Sequence, residues 1–114
     1  MIWEISYTED AEHDLQSIYD YISDILFAPA IAENQTNRIM DAIDSLDHMP
    51  FRHRLYNYEP WRSKGLRFMP VDNYLVFYLP DKSQSVVAVI RIMYTGRDIE
   101  KLLNEPISEQ GGLV

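Results

Sequence analysis

The chain has 114 residues, 46% hydrophobic and 25% charged, the profile of one soluble globular domain with a single core. It contains no cysteine, which excludes disulfides and thiolate metal sites and fits a reducing cytoplasm. Its net charge of −8 argues against nucleic acid as an electrostatic partner, and no apolar run is long enough to cross a membrane.

The opening "MIWEISYTED" lacks the basic-then-apolar layout of a secretion signal. Within it "IWEISYT" alternates apolar and polar residues, as a short strand does. Thr8 then offers an N-cap, with Glu9, Asp10 and Glu12 in the first turn, where the helix dipole favours negative charge. Ala11, Leu15, Ile18, Ile22 and Ile25 follow at helical spacing, widened by Tyr19 and Leu26, and predict a helix from Glu9 to Leu26. "FAPA" breaks it. Pro29 suits the first turn of a second helix whose inner face reads Ile31, Gln35, Ile39, Ala42, Ile43 and Leu46 and which Pro50 ends. The two helices make an antiparallel hairpin. Asp14, Asp20, Asp24, Asp41, Asp44 and Asp47 are expected on its outer side.

The period then changes. "GLRFMPV" and "YLVFYLP" read as strands joined by a turn at Asp72-Asn73, and "DKSQS" leads into a third strand, "VVAVIRIMY". "RLYNY" is a possible edge strand, and "RDIEKLL" a short closing helix. The predicted architecture is α+β: an N-terminal strand and a helix hairpin packed on one face of an antiparallel meander. The other sheet face is expected to stay open. One domain over residues 1–104 and a loose tail over 105–114 complete the organisation.

Charge is divided along the chain. Residues 1–50 carry eleven acidic side chains against one basic, Arg38, whereas residues 51–101 carry nine basic against five acidic. A solubilising helical face accounts for the first half but not for the cations of the second. The four glycines form no phosphate loop, no serine sits in a nucleophile elbow, and His13, His48 and His53 lack metal-ligand spacing. One combination is left: Arg52, His53 and Arg54 after the helices, Arg67 in the meander, and Arg91, Tyr94 and Arg97 at its end. Metal-free RNA cleavage needs a base, an acid and cations on the phosphate. Arginine suits the cationic role and His53 could serve as base or acid. The alternatives are structural. Arginines inside apolar strands are usually paired with a carboxylate, and Tyr94 could simply pack. Along one strand Arg91 and Tyr94 face opposite ways unless the chain bends between them.

The order strand, helix hairpin, "LDHMP", "GLRFMPVDNYLVFYLP" and "VIRIMYTGRD" resembles the RelE/ParE superfamily of bacterial toxin–antitoxin toxins, from Ile2 to Leu103. "RIMYTGRDIEKLL" is its most specific piece. The resemblance implies a toxin held inactive by a cognate antitoxin and using no metal or cofactor. RelE-like members are ribosome-dependent mRNA endonucleases; ParE-like members poison DNA gyrase. For the first branch it implies Arg67, Arg91, Tyr94 and His53 as catalytic positions, with Arg52, Arg54 and Arg97 binding substrate. These matches favour the ribonuclease branch, while the acidic net charge suits the gyrase branch better; the third alternative is a relative of the same fold that has lost toxicity and only binds an antitoxin.

Overall fold

The structure, a computed structural model, describes residues 2–104. The predicted tail over 105–114 lies outside the described residues. Strand β1 (Glu4–Tyr7) turns into helix α1 (Glu9–Asp20) at Thr8. The Thr8 hydroxyl accepts the Ala11 amide at 3.1 Å, and it faces the Val89 and Ile90 carbonyls at 2.9 and 3.0 Å. One residue thus caps the helix and fastens its start to the sheet.

The first helix does not continue regularly to Leu26. From Tyr21 to Ile25 it widens into a π turn, where the Leu26 amide donates to the Tyr21 carbonyl, and Phe27 then adopts a left-handed φ of 54°. The wider turn changes the angular spacing of the side chains that follow. Ile25 and Leu26, expected inside, are exposed. Helix α2 (Pro29–Asp44) starts at Pro29 as expected, but its buried stripe begins one residue late, with Ala32 and Thr36 inward instead of Ile31 and Gln35. Thr36 is tolerated there because its hydroxyl donates to the Ala32 carbonyl at 3.0 Å. Ile39, Ile43 and Leu46 complete the stripe as expected.

The sheet has the order β1-β5-β4-β3-β2. Strands β2 (Arg54–Leu55), β3 (Arg67–Val71), β4 (Tyr74–Asp81) and β5 (Val86–Tyr94) pair antiparallel, and β1 lies parallel to β5, with Glu4 beside Val86. The β3–β4 turn falls at Asp72-Asn73, where Gln35 and Arg38 of α2 bond the Asp72 carboxylate. Side chains alternate strictly along β4. Tyr74, Val76 and Tyr78 face the helices, and Leu75, Phe77 and Leu79 face away.

The second sheet face is therefore not open. Short helices α3 (Trp61–Lys64) and α4 (Ile99–Asn104) contribute to a second, smaller core of Leu66, Phe77, Met93 and Leu103. A strand apolar on both sides belongs between two covers, and "YLVFYLP" has that composition. No helix among the described residues is long and apolar enough to cross a membrane.

Candidate functional site

Arg91 sits where β5 loses its neighbour. The β1–β5 pairing ends at Tyr7 beside Val89, and a bulge leaves Ile90 without a partner on β4. Past that point a carboxylate replaces the missing strand. Asp14 of α1 accepts the Ile92 amide at 3.0 Å and takes Nε and Nη2 of Arg91 at 2.7 and 2.9 Å. The remaining arm, Nη1, donates to the Leu102 carbonyl of α4 at 3.1 Å. Arg91 is 5% exposed and Asp14 8%. This fork-to-fork pair satisfies a buried charge from both sides and ties α1, β5 and α4 together. Asp14, expected on the outer helix face, points inward.

Arg67 has a different task. Its Nη1 donates to the carbonyls of Phe51 and His53, at 3.1 and 2.6 Å, and its guanidinium lies 5.1 Å from the centre of the Phe51 ring. It stands beside Tyr78 in register, as an Asp72-Asn73 turn requires. Tyr78 in turn donates to the Pro50 carbonyl at 2.7 Å, so both residues fasten the segment after the helices. Burial pushes the Tyr78 phenol up to about 12. Arg52 closes the far end of α2, donating to the carbonyls of Ser45, His48 and Met49, as a cation at a helix C-terminus should.

The predicted cluster is thus not assembled as one constellation. Arg67 and Arg91 are held by separate partners on opposite sides of β4. Tyr94, 50% exposed, packs edge-on against Tyr74 at 5.8 Å and leans over Gly96. It lies ~13 Å along the strands and ~10 Å across them from Arg67, from four residues of register and two strand spacings. Arg97, just beyond it, is exposed and makes no side-chain hydrogen bond or ion pair among the described residues.

Arg52, His53 and Arg54 do come together, with Phe68 and Pro70, around an open groove of about 550 Å³. His53 is half-buried, edge-on to Tyr78, and its Nε2 has no hydrogen-bond partner among the described residues. Burial, and then the charge of Arg52, hold its imidazole below the ordinary histidine value. Across Phe68 lies a second groove of about 300 Å³, lined by Tyr56, Tyr58, Leu75, Phe77 and Ile99. The first groove presents cations and an imidazole; the second presents aromatic surface. Among the described residues, no three His, Asp or Glu side chains gather as a metal site would require.

Residues 5–99 match the family of the ParE toxin of the type II toxin–antitoxin system parDE. The chain belongs to this family. As a ParE-family toxin it shares its fold with a chain of the chromosomal ParDE system from P. aeruginosa, at a TM-score of 0.67 and 19% identity over 82% of this chain and 96% of that one. The toxin–antitoxin complex RelBE2 from Mycobacterium tuberculosis is similar at 0.59 and 18%, over 82% and 92%. A free mutant of the E. coli toxin RelE aligns at 0.63 and 11%, over 96% and 98%. No curated protein matches the sequence.

The residue that sequence reasoning missed in this toxin is Asp14. A signal was present. Asp14 stands three residues after Ala11 and four before Ile18, on the inner stripe of α1, where an acid requires a partner.

Proposed function

We propose that this ParE-family toxin arrests growth by binding a protein target, as an inhibitor of DNA gyrase, and that a cognate antitoxin silences it. The observation carrying this reading is the Asp14–Arg91 pair. Metal-free RNA cleavage calls for unpaired cations converging on one phosphate. Arg91 is instead fully engaged with Asp14 and Leu102. The net charge of −8 supports the same reading, because a polyanionic substrate would be repelled by most of the surface. For the antitoxin, the aromatic groove beside Ile99 is an apolar seat on the sheet face. The solved ParDE and RelBE2 relatives come from toxin–antitoxin systems.

A second reading, ribosome-dependent mRNA cleavage, draws on the groove of Arg52, His53 and Arg54. A histidine held below its ordinary value is neutral at pH 7 and able to accept a proton. Arg54 would meet a phosphate. Arg67 would hold the groove's floor, and Tyr94 and Arg97 would have to act from the far end of the sheet.

One experiment separates the two. With purified gyrase, the toxin is expected to inhibit supercoiling and trap cleavage complexes, while mRNA 5′ ends mapped after induction stay unchanged. Unimpaired supercoiling together with new mRNA ends that vanish in His53→Ala and Arg54→Ala would transfer the assignment to the second reading.

A further inference from the structure

The apex of the helix hairpin gathers five exposed large apolar side chains, among them Phe27, the most exposed large apolar residue among the described residues. Phe27 is 86% exposed, Ile25 and Ile31 are each 62% exposed, and Tyr21 and Leu26 stand beside them in the open. None of the five belongs to either core. Phe27 also has a left-handed backbone, at φ 54°, a conformation suited to glycine or asparagine and disfavoured for a bulky aromatic. A turn serving only to join two helices would use a small polar residue there. The apex retains an aromatic at a strained position, where the fold gains nothing from it.

Every charged residue of the apex segment, from Asp20 to Glu33, is acidic. Asp20, Asp24 and Glu33 flank it in the open, and the chain contains no lysine or arginine before Arg38. We infer that this apolar, acid-rimmed hairpin apex is the surface by which the toxin grips its target, an apolar slot bordered by lysine and arginine on a partner protein. The inference rests on the target-binding reading above and adds to it the place of contact and the chemistry of the partner. Charge selects this occupant over two others. A second copy would set one acidic rim against another, and an anionic membrane would repel the same carboxylates.

The full chain carrying both Phe27→Asn and Ile31→Ser provides the test, since asparagine suits the backbone at 27 and neither side chain is buried. Growth arrest and inhibition of supercoiling are each expected to need at least about tenfold more of this variant, with melting temperature and antitoxin affinity unchanged. Neutralising the rim with Asp20→Asn, Asp24→Asn and Glu33→Gln is expected to weaken growth arrest several-fold, roughly the loss that follows when steering charges are removed. Full growth arrest by the Phe27–Ile31 variant would overturn the inference. A parallel loss of antitoxin affinity would do so too, by making the apex the antitoxin's seat, and undiminished growth arrest by the rim triple variant would overturn the basic partner. If the wild-type toxin arrests growth yet leaves gyrase untouched, the gyrase assignment fails while the growth-arrest comparison still decides the apex. A wild-type chain that does not arrest growth removes both.

Discussion

Asp14 and Arg91 carry charge where water hardly reaches, and each makes sense only through the other. Removing one partner strands the other's charge in the interior, whereas removing both leaves a void that apolar atoms could fill. Arg91→Ala is therefore expected to lower unfolding free energy by about 3–5 kcal/mol, and Asp14→Ala by a similar amount. The double variant Asp14→Leu, Arg91→Met should recover much of the loss of either alone, in denaturant titrations followed by circular dichroism. A loss of toxicity in Arg91→Ala with stability intact would instead assign Arg91 a direct role. His53 gives a second expectation at this scale. Its folded value lies below the unfolded 6.5, so the unfolded chain binds the extra proton. The stabilisation is complete above about pH 6.5 and is lost as pH falls through the folded value. His53→Gln is expected to flatten stability against pH in that window, and unchanged curvature would show that other groups dominate the acid limb.

Between elements, the main discrepancy is one of phase. Periodicity locates both helices, Pro29 marks the start of α2, and Asp72-Asn73 marks the β3–β4 turn, because caps, prolines and alternation are local properties. The inner face of α2 is shifted by one position because burial selected small or satisfiable residues, Ala32 and Thr36, over the more apolar Ile31. Ile31→Ser is accordingly expected to change stability by no more than about 0.5 kcal/mol, while Ala32→Leu, forced into a filled site, costs about 1–3 kcal/mol. Chemical denaturation of both variants checks this, and the opposite ranking would restore the stripe read from hydropathy. The π turn and the β5 bulge were not legible, since both arise from tertiary fit and neither has a residue signature here. Helix α4 was legible as a helix but not as a cover, because its docking depends on the Arg91–Leu102 bond and on Trp61 donating to Asn104. The candidate site fared worst for the same reason: residue types were visible, but the partners holding Arg52, Arg67 and Arg91 came from distant elements.

At the scale of the whole molecule, charge is segregated by layer. The helix hairpin holds ten of the eighteen acidic side chains and one basic residue, Arg38, while the loop after it and the far end of the sheet hold the unpaired cations Arg54 and Arg97 among the described residues. A partner approaching from the hairpin side and one approaching from the grooves meet fields of opposite sign, so a target and an antitoxin need not compete for one surface. The parallel pairing of β1 with β5 has a temporal consequence. Glu4 finds its neighbour only at Val86, so the first strand synthesised must wait for the last before the central sheet can close. A nascent chain still inside the ribosome's exit tunnel lacks that final strand and hence the completed hydrophobic floor beneath both helices. Any surface that depends on the closed central sheet therefore forms only after β5 has emerged.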